Sequence, residues 1–191
     1  RRNLELTQTL SGPRGGSLLA QIDRTVTACG ARLLGSRLAA PLTDVKTIAA
    51  RHDAVESFAA KSESRRKTRE ALKAAPDIAR ALGRLSVARG GPRDLAALRD
   101  GIKAARALRD LLGADAPGGE ARGALDALTQ AIAAASRLSD RLEFLLVDEA
   151  PYLARDGGFI KSGAHAPLDE LRSLRDESRR VIAGLESRYR Q

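Results

Sequence analysis

The sequence predicts an all-α protein: a multi-helical core domain with a short N-terminal strand, a small β-hairpin near 152–162 and a long C-terminal helix. Three observations carry that expectation. Ala, Leu, Arg and Glu, all strong helix formers, fill much of the 191 residues. Apolar residues recur at spacings of three and four through most of the chain. Proline and paired glycines fall between those runs and punctuate them. With 43% apolar residues, a chain of this length can bury a core.

The elements follow in order. Asn3-Leu4-Glu5-Leu6-Thr7 alternates and predicts a short strand. Gly12-Pro13-Arg14-Gly15-Gly16 is a loop, after which Ser17 caps a helix through Leu18, Leu19 and Ile22. The next helix is expected over Thr25–Ala40, with Val26, Leu33, Leu34 and Leu38 offered to the core. Pro41 stops it, because proline disfavours helical backbone in the residue before it. Thr43 is read as the cap of a helix carrying Val45, Ile48, Val55 and Phe58. Residues 62–75 predict a basic helix with few apolar positions, ended by Pro76.

Ile78, Leu82 and Leu85 fit a short helix closed by Gly90-Gly91. Pro92 suits the first position of the following helix, which offers Leu95, Leu98, Ile102 and Leu108 to the core. Ala114–Gly119 reads as a loop. Leu125, Leu128 and Ile132, then Leu138, Leu142, Leu145 and Leu146, outline one or two further helices. Tyr152–Arg155, Asp156-Gly157-Gly158 and Phe159–Lys161 predict the hairpin, since Asp-Gly supplies residues tolerant of positive φ.

The last helix is expected over Leu168–Arg190. Leu168, Leu171, Leu174, Ser178, Val181, Ile182, Leu185 and Tyr189 form one stripe. Arg172–Asp176, Asp176–Arg180 and Glu186–Arg190 are candidate i,i+4 pairs on the charged face. At ~1.5 Å per residue such a helix runs about 35 Å.

The net charge of +9 is uneven. Residues 61–112 hold 14 basic and 6 acidic residues, whereas residues 113–150 hold 3 and 7. Lys61, Arg65, Arg66, Lys67 and Arg69 are the candidate phosphate contacts in that segment. The competing reading is a solvated helix face, the usual role of a charge run, and no aromatic residue interleaves this one. Two Tyr and three Phe are too few for a platform that stacks single-stranded bases.

One cysteine excludes a disulfide framework and a cysteine-rich zinc site. No apolar run approaches the ~18 residues of a membrane span, and no signal peptide opens the chain. A chain without methionine is expected to be part of a longer protein. Catalytic constellations are lacking. His52 and His165 are far apart and read as a helix-boundary residue and a turn residue. Cys29 reads as a buried small hydrophobe, and the paired glycines read as turns. Asp148 and Glu149 end a helix, where solvation outweighs metal binding as the expected role. A GxxxxGK[ST] phosphate loop is missing.

The string Arg1-Arg2-Asn3-Leu4-Glu5-Leu6 resembles the segment that opens the core domain of the MutS family of DNA mismatch repair proteins. The resemblance runs on through Gly16-Ser17-Leu18-Leu19, Ile22-Asp23-Arg24-Thr25, Thr27, Gly30, Arg32, Leu34, Leu38, Pro41-Leu42 and Asp44. It continues in Ile48, Arg51, Asp53-Ala54-Val55-Glu56, Pro92-Arg93-Asp94-Leu95, Asp156-Gly157-Gly158 with Ile160 and Gly163, and Leu168-Asp169-Glu170-Leu171-Arg172. Each motif is weak alone; in this order they span nearly the whole chain. Cys29 stands where the family often has Met, and Ala164-His165 follows Gly163 where it often has an aromatic. Residues 61–75 and 113–137 match in helical character only. A paralogue acting in recombination or other repair shares the core pattern, but the density of the match favours the mismatch repair form.

The resemblance implies a core and lever region, domain III, of a bacterial protein that encircles duplex DNA as a homodimer in the cytoplasm. Residues 1–166 would be the helical core. Residues 167–191 would begin the lever toward a clamp, with Leu168, Leu171, Leu174, Val181, Ile182 and Leu185 as transmission residues. The implied partners are duplex DNA, reached through the full-length protein, and that protein's own connector, clamp and ATPase domains, with no membrane. ATP and Mg²⁺ would belong to the ATPase domain; no cofactor, metal or catalytic residue is expected in this chain. The function implied is a structural and allosteric core linking mismatch recognition and clamp to the ATPase. The alternative is a helical module that binds duplex DNA without sequence preference through residues 61–112.

Overall fold

In the computed structural model, residues 4–12, 15–114, 130 and 135–189 are described, and among them the fold is helical. In chain order the helices are α1 (Leu18–Ile22), α2 (Ala28–Ala39), α3 (Val45–Ala60), α4 (Ser62–Ala74), α5 (Ile78–Ser86) and α6 (Pro92–Ala114). Helical residues 135–145 form α7, and α8 is Ala166–Tyr189. Leu125, Leu128 and Ile132 lie outside the described residues, as does most of the loop expected after Ala114.

Side-chain caps set several of the helix starts. Ser17 accepts from the amide of Ala20, and Thr27 from that of Gly30, so α2 begins three residues later than its pattern suggests. Asp44 caps α3 in place of Thr43, accepting both the amide and the hydroxyl of Thr47. A carboxylate placed there satisfies an orphan amide and suits the positive end of the helix dipole. Asp77 caps α5 through the amide of Arg80.

The core lies where α5, α6 and α7 meet. Ala81, Leu98, Leu142 and Leu146 are buried, and Ile78, Leu85, Leu95, Phe159 and Ile160 pack against them. α6 is the spine, with α4 and α5 both against it, and α3 rests on α4. Gly101 lets α5 come close: a Cβ there would overlap the side chain of Ile78. Arg99, 4% exposed, donates to the carbonyls of Val147 (3.0 Å) and Asp148 (3.2 Å), tying α6 to the end of α7. Those bonds give partners to main-chain carbonyls just past the helix, in a segment with no helical ladder of its own. Arg106 joins the same two helices through Ser136 and Asp140, both at 3.0 Å. By contrast α2 and α3 bury none of their side chains, and Leu33, Val45 and Val55 are exposed rather than in the core.

Two expectations are corrected. The N-terminal strand does not form over its described residues, Leu4–Thr7; Asn3 lies outside them. Glu5 has a left-handed backbone (φ 46°), and the carbonyls of Glu5 and Leu6 accept from the amides of Leu18 and Leu19. Among the described residues the alternating stretch has no sheet edge to join, and its main chain instead takes up the orphan donors that open α1. The 152–162 hairpin does not form either. Ala154–Asp156 is a short 3-10 turn, and Ile160 bridges antiparallel to Leu146. Val147 donates to Phe159 and Lys161 to Leu145. Leu146, 1% exposed, offers Ile160 and Phe159 a buried apolar neighbour. Gly157 and Gly158 do take positive φ, as expected, but within a loop that leads to this bridge.

Candidate functional site

The most distinctive element is α8, which is fastened at its root and bare beyond it. Gly163 turns the chain with φ 82° and donates its amide to Asp169 at 2.8 Å. His165 Nδ1 accepts from the amide of Leu168 at 3.3 Å, so this histidine is a turn residue, as its position suggests. Arg172 pairs with Asp169 at 3.1 Å and donates to the carbonyl of Ile160 at 2.9 Å. Ile160 itself packs on the core. A chain of direct contacts therefore runs from the core through Ile160 into the first turns of α8.

Leu168 is half-buried in this root. Farther along, Leu171, Leu174, Val181, Ile182 and Leu185 are between 43% and 63% exposed, and none of α1–α6 packs along the helix. The charged face differs in detail from its expected pairing. Arg172 takes Asp169, Asp176 takes Arg175 at 2.8 Å, and Arg190 lies outside the described residues. The Arg172–Ile160 bond leaves no mark in helical periodicity, because its acceptor is a main-chain carbonyl twelve residues away.

The basic segment is largely engaged within the protein. Arg65 donates to the carbonyls of Phe58 (2.7 Å) and Ala59 (3.0 Å) at the end of α3. Arg69 donates to the carbonyl of Arg24 at 2.9 Å. Arg66 binds Glu63 and Glu70, and Lys67 lies 3.6 Å from Glu63. These pairings hold the Glu63 carboxyl below its usual range, with the hydrogen bonds from Arg66 the largest cause, and push the Arg66 guanidinium higher still. Lys61 closes α3 and opens α4. The five residues lie along one helix and its start; Arg65, Arg66, Lys67 and Arg69 are bonded to carbonyls or carboxylates of this chain, and Lys61 too is engaged.

Cys29 is exposed rather than buried. Its thiol donates to Asp77 at 3.0 Å and accepts from Arg32 at 3.1 Å, and Arg32 also binds both Asp77 oxygens. The hydrogen bond to Asp77 raises the thiol's pKa, so the sulfur stays protonated and is a poor nucleophile. Arg32 and Cys29 together hold Asp77 well below the usual carboxylate range. The cluster thus staples α2 to the cap of α5. Among the described residues no three His, Cys, Asp or Glu side chains gather as a metal site, and no helix is long and apolar enough to cross a membrane.

The chain matches the family model for MutS domain III over residues 1–190. It is 55% identical over 190 residues to the DNA mismatch repair protein MutS of Rhodopseudomonas palustris (strain HaA2), covering 99% of this chain and 20% of that protein. The corresponding protein of Rhizobium meliloti (strain 1021) is 51% identical over 99% of this chain and 20% of its own length. That of Caulobacter sp. (strain K31) is 50% identical over 100% of this chain and 22% of its own length. The chain thus spans about a fifth of the curated relatives it matches. With the family model covering almost every residue, this chain belongs to the MutS domain III family of DNA mismatch repair proteins.

Proposed function

We propose that this chain is the structural and allosteric core of a mismatch repair ATPase. Residues 1–166 serve as the helical body and residues 167–191 as the start of the lever. The observation that carries this reading is α8, bonded to the body at Arg172–Ile160 and exposed along the remainder of its apolar stripe. A stiff helix held at one end moves as a rigid body when its anchorage shifts, so it relays a change between the sites at its two ends. Leu168 belongs to the root. Leu171, Leu174, Val181, Ile182 and Leu185 are the transmission surface.

In this reading the chain neither reads the mismatch nor hydrolyses ATP. The parent protein is a cytoplasmic homodimer on duplex DNA, and this module joins its connector, clamp and ATPase domains. ATP and Mg²⁺ act in the ATPase domain; the sequence here offers no phosphate loop to hold them. The alternative, a duplex-binding module built on Lys61, Arg65, Arg66, Lys67 and Arg69, is the weaker reading because the side chains of Arg65, Arg66, Lys67 and Arg69 have partners within the chain and Lys61 is not free either.

The test is Arg172→Ala in the intact protein. Basal ATP turnover and duplex binding should be retained, while the response of ATP turnover to a mismatched duplex falls severalfold. An unchanged response would contradict the proposal.

A further inference from the structure

A cleft that the lever reading does not use lies between the end of α5, the start of α6 and residues 152–154. Its volume is about 440 Å³, and Arg84, Arg89, Arg93, Asp94 and Tyr152 are among its lining residues. The floor is built tightly. Asp94 accepts the amide of Gly91 and the guanidinium of Arg84, both at 3.0 Å. Gly91 lies against the carbonyl of Tyr152, which a Cβ would meet at 2.8 Å. Arg93 donates to the carbonyl of Ala150 at 3.2 Å and stands 5.8 Å from the centroid of the Tyr152 ring.

Charge at this cleft is unbalanced. Arg84 and Asp94 neutralise one another. Arg93 is held by a neutral carbonyl and an aromatic ring. The side chain of Arg89 makes no hydrogen bond or ion pair with any described residue, although its amide is fixed to the carbonyl of Arg84 at 2.9 Å. Two guanidinium charges therefore face a concave site, and no acid among the described residues is left to meet them. Beside them are Tyr152, 71% exposed, and Leu153. A planar guanidinium binds a carboxylate through two parallel hydrogen bonds. An exposed tyrosine next to arginines is the composition of residues that anchor protein interfaces. An acid in the floor with a leucine at the rim is poor lining for phosphate.

From these observations we infer that the cleft docks an acidic segment of a protein partner. One carboxylate of that segment is taken by Arg89 and Arg93, and a neighbouring apolar side chain rests on Tyr152 and Leu153. The inference is independent of the lever proposal, because none of its residues belongs to α8.

The test uses the 191-residue chain and a dye-labelled peptide Glu-Asp-Tyr-Asp-Glu, with a short DNA duplex as competitor. The peptide should bind, and Arg89→Ala should weaken it about tenfold, the worth of one charge-assisted hydrogen bond. Arg89→Lys should fall between, keeping the charge but not the fork. Arg66→Ala, which removes a charge outside the cleft, should leave peptide affinity unchanged. The thermal midpoint of Arg89→Ala should match that of the parent chain, because the side chain is bonded to no described residue. The inference is overturned if the peptide does not bind, if Arg89→Ala binds it as well as the parent chain does, if Arg66→Ala costs as much, or if the duplex displaces the peptide at lower concentration than unlabelled peptide does.

Discussion

Arg172 donates its guanidinium to the main-chain carbonyl of Ile160 at 2.9 Å, joining the second turn of α8 to a residue packed on the core. Asp169 fixes the same guanidinium from one turn earlier and also accepts the amide of Gly163. This small set of bonds decides whether α8 behaves as a part of the body or as a free rod.

Arg172→Ala should therefore raise amide exchange in residues 166–175 at least severalfold while leaving Leu98 and Leu146 protected. The cost should be local to the root, about 1–2 kcal/mol, since the variant removes one charge-assisted hydrogen bond and one partly exposed ion pair. Hydrogen exchange on the variant checks both parts. Uniformly raised exchange across the core would show that the root is not a separate unit.

Acid stability should depend on Asp77 and Asp94. The guanidinium of Arg32 and the thiol of Cys29 depress the pKa of Asp77; Arg84 and the amide of Gly91 depress that of Asp94. A carboxyl whose folded pKa is lowered contributes stability that is fully present above the unfolded value, about 3.9. That contribution disappears as pH falls through the lower folded value. Urea midpoints measured from neutral pH downward should thus fall below about pH 4. Asp94→Asn and Asp77→Asn should each be less stable at neutral pH and show a shallower acid limb. Acid limbs of identical slope in parent and variants would refute this assignment.

The α5–α6 packing should tolerate no added volume. Gly101→Ala places a methyl group in the side chain of Ile78 and should cost about 1–3 kcal/mol, the usual penalty for overpacking. Leu146→Ala empties a site that is 1% exposed and should cost about 2–5 kcal/mol. If denaturant unfolding gave less than half of either figure, the core would lie elsewhere.

The basic helix should contribute little to duplex affinity. Removing a side chain that neutralises one phosphate lowers the slope of log affinity against log salt by about 0.9. Arg66→Gln with Lys67→Gln should change that slope by well under one unit, because both residues are already paired with Glu63. Binding of the chain to duplex DNA should be weak and indifferent to a mismatch. A slope change near two, or nanomolar preference for mismatched DNA, would instead make α4 a phosphate footprint.

What was legible in the sequence was local. Ser17, Pro92 and the stripe from Leu168 to Tyr189 mark real helix starts and a real amphipathic helix, because caps and periodicity act within a few residues. The failures were non-local. Leu4–Thr7 alternates as a strand does, but strand character requires an edge to pair with, and the partners of Glu5 and Leu6 proved to be Leu18 and Leu19. Ile160 found Leu146 rather than Tyr152–Arg155 because burial, not the Asp-Gly turn, decided the pairing. Periodicity also offered Leu33 to the core, yet it is exposed; amphipathic spacing marks a face without saying what covers it. Arg93 at the cleft and Arg172 at the root of α8 were invisible as sites for a related reason: each donates to a main-chain carbonyl, which carries no residue identity.

In the proposed role, α8 relays movement between the body and the regions beyond it. Peptide hydrogen exchange on the intact mismatch repair protein, compared with and without bound nucleotide, tests it most directly. Exchange should change along residues 166–189, most near the Arg172–Ile160 root, while the Leu98–Leu146 core stays constant. Identical exchange along this helix in the two states would contradict it.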